Sequence, residues 1–304
     1  MQACCCSSVP RPRLVLGERE HRCGMHVGLR STLLATVQGI TSKCGQIYLA
    51  SEPHKHDVPS FTTEDKQAAI EHCLKNDKTL YVHCPLSMNL ATELGGYHLS
   101  TLSKQLNVMR GLQGACVMHI GKTVKTGSIS TVTENLNRLT NQKILQPGRS
   151  LQARYPLLLE VAAGQGTELG TDWEELRHVY EQLDQTCIGL CLDTQHAFAS
   201  GLCDFSSHES VVKLFEAADA IAATGISMVH INGSKNPYQS RVDRHAVVAD
   251  PYEDHIWGRD QESLVSLVDM CSAANIDLIS ETKDPQRDML LLQQINQRLE
   301  SHSK

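Results

Sequence analysis

The chain has 304 residues, a formal charge of −6 and a hydrophobic fraction of 41 %. That length suits one large α/β domain or two small ones, and the composition supports a packed core. The sequence holds no apolar run of bilayer length, and its acidic balance runs against the basic footprint of a nucleic-acid binder.

Residues 1–23 read as a mobile N-terminal extension, polar and marked by Pro and Arg. Its start, MQACCCSSVPRPR, lacks the apolar segment of a secretory signal. The 12 cysteines include no C-x-x-C pair. Several sit in apolar runs such as GACVMHI and CIGLCLD, where a reduced thiol serves as a small hydrophobe. The expectation is an intracellular protein with neither a disulfide framework nor a thiolate zinc finger.

From residue 24 to 304, short runs of aliphatic and β-branched residues alternate with segments of helical spacing. The runs fall at 24–29, 46–50, 79–84, 115–120, 156–162, 188–193, 226–231 and 276–281. In TDWEELRHVYEQL, Trp173, Leu176, Tyr180 and Leu183 share one helical face, and Thr171 with Glu174 reads as a capping box. In DQESLVSLVDMC, Leu264, Leu267, Val268 and Cys271 form a similar stripe. A last helix is predicted over 285–300, with Pro285 tolerated in its first turn. Strand–helix alternation means a parallel sheet. These units predict an α/β protein built as a single (β/α)8 TIM barrel; a doubly wound open sheet is the alternative.

In a barrel of this kind chemistry collects at the C-terminal ends of the strands. Here the third to eighth runs finish with His83, His119, Glu160, Asp193, His230 and Glu281. His196 follows Asp193 by three residues, and SRVDRH adds Asp243 and His245. On extended chain, residues two apart point the same way, so Asp243 and His245 can converge. A lone histidine at a strand end is more often an ordinary hydrogen-bonded residue than a ligand, and Asp193 alone could be a helix cap. Glu160 and Glu281 resist that reading, since each ends an apolar run where an unpaired carboxylate is costly. It is the joint pattern that points to metal: nitrogen and oxygen donors at the same end of six successive strands. Such donors suit zinc in a catalytic setting, and also manganese or iron.

The motifs LLEVAAGQGTELG, GLCLDTQHAFASG, VHINGSKN and SRVDRH resemble those of the endonuclease IV family of abasic-site (AP) endonucleases. The resemblance is dense from about 156 to 246 and thins toward His26 and Glu281. It implies a DNA repair hydrolase with three zinc ions, cleaving the phosphodiester 5′ to an abasic site in double-stranded DNA. The products would be a 3′-hydroxyl and a 5′-deoxyribose phosphate. By the same resemblance His83, His119 and Glu160 hold the first ion. Glu160 bridges to a second, completed by Asp193, His230 and Glu281, and serves as the catalytic carboxylate. His196, Asp243 and His245 hold the third. The chain is expected to act as a monomer without a membrane partner.

Several positions depart from that family. Gly233 stands where it usually has Asp, Val161-Ala162 where it often has Asn-Thr, and Ile120-Gly121-Lys122 where it has Pro-Gly-Ser. AVVADPYEDHIWG replaces a Gly-rich segment. The loops offered for DNA contact carry His54, Lys55, Leu86, Lys235, Tyr238 and Arg241, with Leu86 and Met88 as candidate wedges into the base stack. The competing reading is a metal-dependent sugar isomerase or epimerase on the same barrel. It would need Glu160, Asp193, His230 and Glu281, but not the other five together.

Overall fold

In the computed structural model, which describes residues 22–50, 52–124, 127–147, 155–223, 225–257 and 261–302, each aliphatic run is a strand. In chain order the elements are β1 (Cys23–His26), α1 (Leu33–Gly39), β2 (Cys44–Tyr48), α2 (Thr63–Asn76), β3 (Thr79–His83), α3 (Gly96–Met109), β4 (Cys116–His119), α4 (Ile129–Asn141), β5 (Leu157–Glu160) and α5 (Trp173–Tyr180). They continue with β6 (Ile188–Asp193), α6 (Thr194–Ser200), α7 (His208–Asp219), β7 (Ile226–His230), β8 (Gly233–Ser234), β9 (His245–Ala246), α8 (Glu262–Ala274), β10 (Asp277–Ser280) and α9 (Pro285–His302). Strands β1, β10, β7, β6, β5, β4, β3 and β2 pair in that order and close an eight-stranded barrel. Every pairing within it is parallel, as helical crossovers require. The short β8–β9 pair is antiparallel and stands outside the barrel.

The two faces of each strand bury into different cores. The outward faces pack with the helices in one large cluster. Inside the barrel a separate cluster holds Cys44, Tyr81, Val117, Leu158, Cys191, Met228 and Ile279, roughly one residue per strand, with Ala115 below them. Side chains alternate with period two, so the residue two places further along each strand also faces inward, one layer higher. That next layer is Gln46, His83, His119, Glu160, Asp193, His230 and Glu281. An apolar plug therefore floors a polar mouth.

The nine cysteines of the described residues are free and buried, as expected of small hydrophobes. In α8, Leu264, Leu267, Val268 and Cys271 are buried, as the stripe predicts. In α5 the cap is shifted by one residue from the predicted pair. Asp172, not Thr171, accepts from the backbone N–H groups of Glu174 and Glu175, and Glu175, not Glu174, reaches back to the N–H groups of Gly170 and Thr171. No helix of the described residues is long and apolar enough to cross a membrane. The predicted extension lies outside the described residues up to 21, but its last two residues belong to the barrel: Arg22 is buried and Cys23 opens β1.

Arg22 ties the strand starts together. Its Nε donates to Asp277 at 2.6 Å, and its terminal nitrogens to Asp77 at 2.7 Å and Thr79 Oγ1 at 2.7 Å. Tyr81 donates its hydroxyl to the other oxygen of Asp277 at 2.9 Å. Asp277→Ala would strip the buried Arg22 Nε and the Tyr81 hydroxyl of their shared acceptor, leaving Arg22 only Asp77 and Thr79. It is expected to lower unfolding stability by about 3–5 kcal/mol, read from the denaturant midpoint. A loss below about 1 kcal/mol, the scale of an exposed ion pair, would contradict the network's role.

Candidate metal centre

The buried Glu160 carboxylate sits at the middle of the mouth with 0 % exposure. Its Oε2 lies 3.2 Å from His83 Nε2 and 3.2 Å from His119 Nε2. Its Oε1 lies 2.9 Å from His230 Nδ1 and 3.4 Å from His196 Nδ1. The strand register builds this: His119 pairs with Glu160 across β4–β5, and Asp193 with His230 across β6–β7. Asp193 also caps α6, accepting from the His196 N–H at 2.9 Å, which sets the histidine one turn above the strand end. The reading of Asp193 as a helix cap therefore holds, while its other carboxylate oxygen faces His230 and His245.

Donor atoms gather into groups whose members all lie within 4.8 Å of one another. One is His83, His119 and Glu160; a second is Glu160, Asp193, His230 and Glu281; a third joins His196 and His245 with Asp193. Asp243 Oδ1 faces that third group, 3.5 Å from His196 Nε2 and 3.4 Å from His245 Nε2. The structure thus brings together all nine residues read from the sequence. It also places Asp193 between two groups, since its Oδ2 is 3.7 Å from His245 Nε2.

The ring protons show that the donor set suits cations. His83 Nδ1 is 2.8 Å from the Cys84 carbonyl, which can only accept. Its N–H donates there, and the bare Nε2 faces a carboxylate oxygen. His196 repeats this, with Nδ1 donating to Val161 O at 2.9 Å and Nε2 aimed at Asp243. Two lone pairs at these distances repel unless a proton or a metal lies between them. Without metal, protons must do it. Burial alone would lower His83, but hydrogen bonding to Glu160 lifts it to about 9. Burial also works against the charged form of Glu160, yet His119 and His230 hold it well below the usual carboxylate range. His245 Nε2 is buried with no hydrogen-bond partner, while two carboxylates face it. Cys191 Sγ lies 3.8 Å from His230 Nδ1, but burial and the carboxylates push its thiol well above the ordinary value, so it is no match for the N/O donors.

Two buried amides that the sequence reading passed over orient the donors. Gln46 Oε1 accepts from His230 Nε2 at 2.9 Å, and Gln46 Nε2 donates to Glu281 Oε1 at 2.5 Å. Committing its N–H to Glu281 fixes the His230 tautomer and turns Nδ1 toward Glu160. Asn232 Nδ2 donates to Asp193 Oδ2 at 2.7 Å, and its Oδ1 accepts from the Glu281 N–H at 3.1 Å. Gln46 lies two residues beyond inward-facing Cys44 on β2 and so faces inward as well.

The rim differs residue by residue from what the loops suggested. His54, Lys55, Leu86, Lys235, Tyr238 and Arg241 are exposed, whereas Met88 is packed in the core. Two departures from the resembling family meet in space. A Cβ at Gly233 would meet Asp254 Cγ at 2.7 Å, so the replaced loop inserts its own carboxylate where a side chain at 233 would stand.

A family model described as xylose isomerase-like TIM barrel matches residues 43–289. The chain belongs to this family. Within the xylose isomerase-like TIM barrels, its curated relatives bear out the resemblance to endonuclease IV. A probable endonuclease 4 of Symbiobacterium thermophilum is 37 % identical over 173 residues, covering 54 % of this chain and 59 % of the relative. One from Carboxydothermus hydrogenoformans is 25 % identical over 288 residues, covering 90 % and 96 %. The match to the first of these thus spans less than two thirds of the relative's length. Among solved structures, endonuclease IV from Thermus thermophilus superposes with a TM-score of 0.69 at 22 % identity, covering 92 % of this chain and 99 % of that one. A D-tagatose 3-epimerase-like protein gives 0.63 at 14 % identity, covering 93 % and 100 %. At these identities the superpositions speak for the barrel alone.

Gln46→Leu keeps the size of the side chain but removes both hydrogen bonds. It is expected to weaken divalent-metal affinity by about 10- to 100-fold, with the circular dichroism spectrum unchanged. Competition with a chromogenic chelator measures this, and unchanged affinity would leave Gln46 as mere packing.

Proposed function

We propose that this chain is a zinc-dependent AP endonuclease that hydrolyses the phosphodiester 5′ to an abasic site in double-stranded DNA. The products are a 3′-hydroxyl and a 5′-deoxyribose phosphate. The observation that carries the proposal is the third donor group. A sugar isomerase on this barrel needs only Glu160, Asp193, His230 and Glu281. Here His196, Asp243 and His245 also converge, with His196 and His245 each within 3.5 Å of Asp243. The curated relatives named probable endonuclease 4 support the same reading.

His83, His119 and Glu160 would hold one zinc; Glu160, Asp193, His230 and Glu281 a second; His196, Asp243 and His245 a third, with Asp193 in reach. Zinc bound there supplies Lewis acidity, lowering the pKa of water and stabilising charge on phosphoryl oxygens. The residues of the chain supply the rest. Glu160 spans two of the groups, one oxygen toward each, and its burial keeps bulk water from screening them. Gln46 and Asn232 hold His230, Asp193 and Glu281 in place before substrate arrives. Asp243 is the most exposed of the carboxylates, with 34 % of its side chain open, which would leave it accessible to an incoming strand. An abasic nucleotide stacks and pairs poorly, so drawing it toward a recessed site costs less than extruding an intact one.

Glu160→Gln is expected to abolish incision of a duplex carrying one abasic site while abasic-DNA binding persists. Activity within about tenfold of the native protein would contradict the bridging role. Asp243→Ala is expected to cut the rate by about a hundredfold or more and to lower zinc content by about one equivalent, with the fold intact. Full zinc content and full activity in that variant would contradict the role of Asp243 in a third metal site.

A further inference from the structure

Lys235 lies just past β8, and Lys283 lies two residues past Glu281 in the loop after β10. Both ammonium groups address one carboxylate oxygen: Glu253 Oε2 is 2.6 Å from Lys283 Nζ and 3.7 Å from Lys235 Nζ. Glu253 belongs to the loop at 247–257, within the segment that departs from the resembling family. The backbone of this loop is clamped to the mouth. Asp254 accepts from the N–H groups of Ser234 and Ala249, each at 2.9 Å. The His255 N–H donates to Ser234 O at 2.8 Å, and Trp257 Nε1 to Asn232 O at 3.2 Å. Glu253 is therefore placed by its neighbours rather than free to wander.

The three charged side chains are 41 %, 56 % and 42 % exposed for Lys235, Lys283 and Glu253. Ion pairs this open are weak and easily exchanged. One carboxylate against two ammonium groups also leaves positive charge in excess. A phosphodiester oxygen offers the same charge and accepts the same hydrogen bonds as the carboxylate it would replace. Other cations of the mouth show the same pairing: Lys122 with Glu168 at 3.0 Å, and Arg287 with Asp250 at 2.7 Å.

We infer that Lys235 and Lys283 form a docking rim for a nucleic-acid backbone phosphate, and that Glu253 is their counter-ion in the free protein, displaced as the phosphate arrives. The inference rests on the nuclease reading and deepens it by assigning two of the phosphate contacts and the group that competes for them. It also explains how a chain of formal charge −6 receives a polyanion: rim cations are held in position by the chain's own acids until substrate substitutes for them.

The test is a salt series of affinities for a labelled, undamaged duplex, by fluorescence anisotropy. It compares the native protein with Glu253→Gln, Lys283→Gln, Lys235→Gln and the combination of Glu253→Gln with both lysine changes. Glu253→Gln is expected to bind about fivefold more tightly at low salt, with a steeper salt dependence. Each lysine variant is expected to bind more weakly, with a salt slope reduced by about one. The gain from Glu253→Gln should vanish in the combined variant. Equal or weaker binding by Glu253→Gln overturns the inference, as does unchanged affinity in both lysine variants. Cleavage of an abasic duplex by the native protein is measured in parallel. If it cleaves and Glu253→Gln binds no more tightly, only this inference fails; if it neither binds nor cleaves, the nuclease reading fails with it.

Discussion

A carboxylate with no exposed surface, ringed by the nitrogens of four imidazoles, is the constraint on which the rest of this structure depends. Taken alone, a buried carboxylate would give up its charge. Glu160 keeps it because cations surround it; the Cys84 carbonyl turns His83 Nε2 toward it, and the Val161 carbonyl turns His196 Nε2 toward Asp243. Removing the ring protons without a metal would set lone pairs against lone pairs. The donor groups of the mouth thus suit a cation, whose charge their burial would make effective.

The barrel makes this possible by dividing its length. The strand starts are tied by Arg22, Asp277, Tyr81 and Thr79. The middle is an apolar plug from Cys44 to Ile279. Only then, two residues further along each strand, do the donors appear. The destabilising concentration of like groups in the mouth is carried by packing below it and by the helices outside. The same division explains why nine ligand-type residues can be scattered from 83 to 281 in sequence and still converge.

Much of this was legible in the sequence because strand ends are. A polar, ligand-capable residue closing an apolar run is visible without coordinates, and His83, His119, Glu160, Asp193, His230 and Glu281 all stand out in that way. What escaped was whatever depends on exact register. Gln46 was read as the first residue of a run beginning at 46, but β2 begins at Cys44, and that difference places Gln46 in the donor layer. Asn232 lies just past β7, and no periodicity marks its role. The cap of α5 moved from Thr171 to Asp172 because both residue types cap well and only geometry chooses between them. Arg22 was assigned to a mobile extension because flanking composition said nothing of its buried partner 255 positions away. Gly233 and the altered loop looked like two unrelated departures until Asp254 was seen filling the space at Gly233.

Charge links these observations to function. Formal charge counts the ligand carboxylates as though they were free, although three divalent cations would offset all of the −6. The measurement that bears most directly on the account is therefore the zinc content of the folded chain, by elemental analysis and native mass spectrometry after zinc repletion and removal of loose metal. The account predicts close to three zinc ions per chain, lost together with tertiary stability on chelation. At most one ion per chain would contradict it and leave the mouth a proton-bridged cluster on a xylose isomerase-like barrel.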